Sequence, residues 1–470
     1  MTTPAGNNGP VVLGPGERAD RVSRAAPLVR RLAGAGVTIV ALGWVDNAGI
    51  ARAKTVPVGR LERAAGWGVG MSPVFDVFLV NDDITTSKHI GGPGGDLRLL
   101  PDLERVTVLA GQPGWAWAPV DRYTQDGQVY AGCQRSFARR MTDRAREQGL
   151  ELAMSFEVEW ALGTDEDGRF VPACAGPAYG MTRVIELSDY GREVVEAVER
   201  QGIAVEQFHP EYAAGQLEIS VAAAGPVAAA DASVLVRQTI RAVSARHGWQ
   251  ASFAPSVVAG TVGNGGHLHL SLWRDGRNLL AGGPGRYGLT GEGEAFAGGI
   301  LAALPALAGV GAPSVASYLR LVPSHWAGAY GCWGRENREA ALRLVTGSTG
   351  EQEVRANLEV KCFDLSANPY LVTGSVIAAG LAGIESGAGL PDPVDGDPAA
   401  LSDGELAGRG IARLPQALPE AIGNLEGNPI VREAMGDPLF EAFLAVRRAE
   451  AELFADASPD QIAAQTRWRW

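Results

Sequence analysis

Lysine is almost missing from this chain. Only Lys54, Lys88 and Lys361 occur among 41 basic residues, so the other 38 are arginine. That is the bias of GC-rich coding, and it makes each lysine an exception. Cysteine is scarce as well. Cys133, Cys174, Cys332 and Cys362 stand far apart with no CxxC pair, which argues against a disulfide framework or zinc knuckle and for a reducing, cytoplasmic compartment. No GxxxxGK[ST] loop is present, which excludes a P-loop enzyme. A basic excess is absent too: 53 acidic against 41 basic residues give −12, the wrong sign for a general nucleic-acid binder. The stretch MTTPAGNNGPVVLGPGERAD lacks the basic-then-apolar run of a secretory signal, and no internal repeat is visible.

What is there is a globular composition, 46% hydrophobic and 20% charged over 470 residues, enough for two or three domains. Two uncharged stretches, 295–319 and 365–384, are long enough to span a bilayer. Both are rich in Ala and Gly, and the first contains Pro305 and Pro313, so buried helices are expected instead. Residues 1–22, Gly/Pro-rich at their start, are expected to form a disordered tail. VTIVALGWVDNAGIARAKTVP (37–57) reads as a hairpin turning at Asp46–Gly49. GQPGWAWAP (111–119) is the best boundary, dividing an N-terminal domain (23–115) from a second one (116–470). A helix is expected over 134–148, with Phe137, Met141 and Ala145 on one face, and another over 231–247 with Asp231 as its N-cap. The last hundred residues read as mainly helical.

Four segments place reactive side chains two apart, on one face of a strand. SFEVEW carries Glu157 and Glu159, GGHLHLSLW carries His267 and His269, and NLEVKCF carries Glu359 and Lys361. HPEYAAGQLEIS adds Glu211 and Glu218 across a bend at Gly215. Singly, each has a plain reading: a solvated strand face, or a polar histidine. Together they say more, because the alternate positions (Phe156, Val158, Trp160, Leu268, Leu270, Leu358, Val360) are apolar. Five carboxylates facing one cavity repel unless cations neutralise them, and oxygen ligands with an imidazole suit Mg²⁺ or Mn²⁺ rather than structural zinc. A further segment, SYLRLVPSHWAGAYGCWGRENREAALRL, holds Arg320, Arg335, Arg338 and Arg343. Guanidinium groups are partners for phosphate and carboxylate oxygens, so phosphoryl transfer from a nucleotide fits the set.

In this order the motifs resemble the glutamine synthetase family, in its type I-like branch, from about residue 25 to the C-terminus. The resemblance implies an α+β fold: an N-terminal β-grasp domain and a catalytic domain with a curved antiparallel sheet. It also implies stacked hexameric rings, a homo-oligomer with sites between subunits. It carries over Glu159, Glu211 and Glu218 as ligands of one cation, and Glu157, His267 and Glu359 as ligands of a second, with two or three Mg²⁺ or Mn²⁺ per site. Arg338 and Arg343 match the phosphate-binding arginines, His269 and Ser271 lie at the nucleotide end, and Gly263 and Arg320 match the positions beside the substrate acid. The implied chemistry forms an acyl phosphate from ATP, which an amine then converts to an amide.

The chain departs from the family where ammonium is handled. Trp326 stands at the flap glutamate, and Gly70 at the ammonium-binding aspartate. Loss of both anions is the sign of a changed nucleophile, an organic amine that Trp326 would cover and that the neighbouring His325 would deprotonate. Lys361 replaces an arginine at the substrate carboxylate, Val262 an asparagine, and Ser256 often a lysine, so either the acid is altered or glutamate is bound in a slightly different way. No tyrosine follows Tyr370, so adenylylation of a C-terminal tyrosine is not expected. The expected function is therefore ATP-dependent ligation of glutamate to an organic amine, resembling the γ-glutamyl-amine ligase branch. The alternatives are the same chemistry on another carboxylic acid, ordinary glutamine synthesis, or a non-catalytic paralogue.

Overall fold

A computed structural model describes residues 13–470. The hairpin forms where expected, Ile39–Val45 pairing antiparallel with Ala51–Pro57. It lies at the edge of a six-stranded mixed sheet whose central strand is Trp115–Thr124, parallel to Ile39–Val45 and antiparallel to Leu97–Pro101. Leu28 and Leu32 of the helix Pro15–Gly34, with Leu61 and Ala64 of the helix Leu61–Trp67, pack on Val40, Leu42, Leu99 and Val120 of this sheet. A sheet packed on two helices fits the β-grasp domain expected here.

Two expectations about this end change. Residues 1–12 lie outside the described residues, but 13–22 do not belong to a tail, because the helix starts at Pro15. Pro15 sits in the first turn, where its missing N–H costs nothing. Arg18 then donates to the carbonyls of Leu13 and Gly66, and Arg21 to those of Ala65 and Pro101, which ties the helix down. The boundary after residue 115 also shifts. It falls at the first residue of the central strand, so the N-terminal sheet runs on to Thr124. The tryptophans that looked like linker residues are strand residues.

The second part holds two further sheets and most of the helices. Gln134–Glu147 buries Phe137, Met141 and Ala145 as expected. The next long helix, however, runs Pro226–Arg246 with Gly225 at its N-cap, five residues earlier than the Asp231 start. Asp231 lies inside it because its carboxylate has a stronger partner than a helix N-terminus. Arg135 grips it through two bonds of 2.9 Å, and the Tyr370 hydroxyl donates to it at 2.7 Å. The same guanidinium reaches Asp102 and Asp121, so one buried arginine clamps the N-terminal sheet to two helices of the larger domain.

The two bilayer-length stretches become core helices, Gly291–Gly311 and Pro369–Ser386, packed on each other. The first is long and apolar enough to cross a membrane, yet most of it is buried within the protein. Their backbones touch: a Cβ on Gly299 would stand 2.6 Å from Cα of Gly383 and 2.3 Å from the carbonyl oxygen of Ala379. Gly299→Ala and Gly383→Ala are therefore expected to destabilise the protein by about 1–3 kcal/mol each through overpacking. Urea unfolding measures this, and an unchanged midpoint would contradict the contact. All four cysteines are buried and unpaired. Six α-helices follow residue 368, so the C-terminal end is mainly helical.

Candidate active site

The strand expected over SFEVEW is two strands in two sheets. Glu151–Phe156 pairs with Leu268–Arg274 in a six-stranded sheet, and Val158–Glu166 pairs with Gln216–Val221 in a five-stranded one. Glu157 is the residue between them, its N–H donating to the His267 carbonyl at 2.9 Å. Both sheets are predominantly antiparallel, and the chain curls from one into the other at this seam.

Register then lines up the polar groups. In the five-stranded sheet His209 stands opposite Glu218, and Glu218 opposite Glu159. In the six-stranded sheet His269 stands opposite Glu359, and Glu359 opposite Arg343. Opposite residues share a sheet face, so each sheet presents a row of three functional groups, with Glu157 at the junction. Behind the rows, Leu217, Ile219, Leu268, Leu270, Leu358 and Val360 are buried in the core. The alternation seen in the sequence is what turns one set inward and the other toward the cavity.

The rows line a cavity of about 530 Å³. It gathers all the expected residues except Ser271: Glu157, Glu159, Glu211, Glu218, His267, His269, Glu359, Gly263, Arg320, His325, Trp326, Arg338, Arg343 and Lys361. Ser271 lies further along its strand and accepts a hydrogen bond from Trp273 Nε1 at 2.8 Å. Arg335 is also turned away, with its guanidinium over the Tyr287 ring.

Five polar or aromatic lining residues were not singled out from the sequence: Tyr179, Gln207, His209, Tyr212 and Gln216. The two-residue spacing would have found two of them, since His209 precedes Glu211 and Gln216 precedes Glu218 by two. Tyr179 sits in an irregular segment and carries no such signal.

Among the described residues, two groups of side chains could hold a metal ion. Ligand atoms of Glu157, His269 and Glu359 lie within 4.8 Å of one another, and so do those of His209, Glu211 and Glu218. His267, expected in the first set, reaches the same carboxylates, 2.8 Å from Glu157 and 3.2 Å from Glu359. Glu159, expected in the second, instead accepts from Gln216 Nε2 at 2.9 Å and from the Gly265 N–H at 2.8 Å.

The electrostatics follow from burial and neighbours. Burial, with the Glu218 and Glu211 charges beside it, pushes the Glu159 carboxyl up to about 8. Burial would raise Glu157 too, but His269 and hydrogen bonds from both imidazoles outweigh it and hold this carboxyl well below the usual range. Burial and the nearby Lys361 push His267 down to about 4, which leaves a neutral imidazole able to act as a ligand. So crowded a set of carboxylates fits divalent cations, whose charge would relieve the repulsion around Glu159.

The cationic side of the cavity is equally built. Arg343 donates to Glu359 at 3.0 Å and to Glu336 at 2.8 Å. Lys361 Nζ donates to Glu359 at 3.0 Å. Arg320 contacts His267 Nε2 at 3.0 Å and donates to the Lys361 carbonyl at 3.1 Å, while its Nη1 is buried with no hydrogen-bond partner in the protein. Gly263 must lack a side chain: a Cβ there would meet the Pro255 carbonyl oxygen at 2.0 Å and the stem of Arg320. On the flap, His325 Nδ1 donates to the Pro323 carbonyl at 2.9 Å, which leaves Nε2 with its lone pair free.

Comparison with known proteins agrees with this geometry. Residues 131–465 match the family described as glutamine synthetase, catalytic domain. The gamma-glutamylpolyamine synthetase GlnA3 of Streptomyces coelicolor is 56% identical over 459 residues, which cover 97% of this chain and 98% of that protein. The glutamine synthetase of Halobacterium salinarum is 31% identical over 432 residues, 90% of this chain and 92% of that one. Among solved structures, a novel glutamine synthase homolog superposes with a TM-score of 0.83 at 33% identity, covering 92% of this chain and 99% of the other. GmaS in complex with ADP does so with a TM-score of 0.80 at 26% identity, covering 92% and 97%. The family match, the sequence identity with these relatives and the superposition over 92% of the chain lead to one conclusion: this chain belongs to the glutamine synthetase family.

Proposed function

We infer that the protein is an ATP-dependent ligase that joins the γ-carboxylate of glutamate to an organic amine through an acyl phosphate. One observation carries this reading. The cavity keeps both acid-and-imidazole groups and its arginines, while Trp326 occupies the flap where ammonium chemistry places a carboxylate. The relative at 56% identity is named for polyamines, and polyamines are the amine class we assign. Lys361 does not argue for a different acid, because its ammonium is taken up by Glu359.

The roles follow from position. Glu157, His267, His269 and Glu359 would hold one cation, and His209, Glu211 and Glu218, with Glu159 behind them, another. Mg²⁺ or Mn²⁺ bound there, two or three per site, supplies charge neutralisation for the transferred phosphate. Arg338 and Arg343 line the cavity to grip phosphoryl oxygens as negative charge builds on them. Arg320, beside Gly263, fixes the substrate acid with its free Nη1. His269 marks the nucleotide end, and Ser271, outside the cavity, takes no part. An alkylamine with a pKa of roughly 10 arrives protonated, and the free Nε2 of His325 is placed on the flap to take that proton. Trp326 closes an apolar wall over the amine. Assembly into stacked hexameric rings and a cytoplasmic location complete the reading.

The test is product mass. With ATP, Mg²⁺ and glutamate, polyamines and diamines are expected to give glutamyl-amide adducts. Glutamine from ammonium is expected at least ~100-fold more slowly, a difference of ~2.7 kcal/mol, and chelation of the metal should stop both. Comparable rates with ammonium would overturn the assignment of the amine, and no adduct from any amine would overturn the ligase.

A further inference from the structure

Three aromatic side chains at the cavity are unusually exposed: Tyr179 at 58%, Tyr212 at 46% and Trp326 at 46%. Tyr212 and Trp326 face each other with ring centroids 5.3 Å apart and planes tilted by 53°. Tyr179 lies against His209 at 6.2 Å. Two of the three hold backbone conformations that bulky residues avoid, with φ at +55° for both Tyr179 and Trp326. Strain of this kind persists only where the surroundings enforce it, and here hydrogen bonds enforce it. The Tyr179 hydroxyl donates to Glu211 Oε2 at 2.7 Å, and the Tyr212 N–H donates to the same oxygen at 3.0 Å. The Trp326 N–H donates to Glu339 Oε1 at 2.8 Å. Each of the three residues is thus tied to a carboxylate, two of them through the backbone.

None of the steps above uses Tyr212. Phosphate and acid are held by the arginines, and the metal groups consist of carboxylates and imidazoles. What ring faces do is attract cations and cover methylene groups, without taking a proton. A diamine needs that combination. Its attacking nitrogen must be neutral, while its far nitrogen stays protonated at neutral pH. A site that recognised only the attacking nitrogen would treat all primary amines alike. On the ligase reading above, we propose that Tyr212 and Trp326, with Tyr179 beside them, seat the far, still-protonated nitrogen of a di- or polyamine and so select such amines over monoamines.

Putrescine and butylamine test this, because they share a four-carbon chain and differ in the second nitrogen. The wild-type protein is expected to favour putrescine. Tyr212→Leu keeps apolar bulk but removes the ring face, and should lower kcat/KM for putrescine roughly 3- to 30-fold, through KM, with a much smaller change for butylamine. Trp326→Leu should move the ratio in the same direction, and Tyr212→Phe, which keeps a ring, should retain the preference. Equal losses for the two amines, or an unchanged ratio in both leucine variants, would overturn the seat while the ligase stands. A wild-type protein that forms no adduct with any amine would overturn the ligase, and the seat with it.

Discussion

Glu359→Gln is expected to yield a folded protein with roughly 100- to 1000-fold less product formation, the largest effect of any single conservative change. Glu359 is the middle of its row, with His269 opposite on one side and Arg343 on the other. It is 2% exposed and receives Arg343 and Lys361, each at 3.0 Å. Burial alone would raise its carboxyl, but Lys361 and the two imidazoles outweigh burial and bring it down to about 2, so it is ionised throughout the working range. Glutamine keeps the shape and removes the charge on which metal binding and the placement of two cations depend. Glu359→Ala goes further. It leaves the buried Lys361 without its anion and beside the half-buried Arg343, which keeps only Glu336, and should also cost about 3–5 kcal/mol of stability. Phosphate release and thermal unfolding, measured together, separate the two effects. A glutamine variant with more than a tenth of wild-type activity would remove Glu359 from the centre of the mechanism.

The second large effect is expected at Arg320. Its Nη1 is buried and unpartnered in a cavity wall, a costly arrangement unless a ligand oxygen completes it. Arg320→Ala should raise the KM for glutamate and lower kcat/KM by roughly 30-fold to several thousand-fold, the range of 2–5 kcal/mol for losing one partner of a buried charge pair. Arg320→Lys should recover little, because one ammonium cannot span His267, the Lys361 carbonyl and a substrate carboxylate as the guanidinium fork does. The KM for ATP should stay within a few-fold of wild type. A parallel rise for ATP and glutamate would show that Arg320 supports the cavity as a whole rather than the acid.

Much of the site was legible because strands alternate. Glu157, Glu159, His267, His269 and Glu359 could be read as one chemical set from apolar neighbours at every second position, since a half-buried strand imposes a period of two on the sequence. The arginines, the hairpin and the buried helices were legible on similarly local grounds. Asp231 was misread for a local reason as well. Aspartate before an apolar periodic run is a good cap, and nothing nearby in the sequence reveals that Arg135, 96 residues away, competes for its carboxylate. The domain boundary moved because glycine, proline and tryptophan mark linkers and strand edges alike.

By itself, then, the sequence determined which residue types alternate toward one face of each strand, because that spacing is a property of the chain, and the order of its motifs carried the resemblance to the family. Only the tertiary structure decided the partnerships. It decided that SFEVEW splits at Glu157 between two sheets, that His209 and Gln216 join the acidic cluster, and that Ser271 and Arg335 point elsewhere. It also brought Tyr179, Tyr212 and Trp326 together, although the last two are 114 positions apart in the chain. Such contacts depend on strand register and on how two sheets curl around a common seam, and no local pattern encodes a distance between residues that meet only when the sheets close.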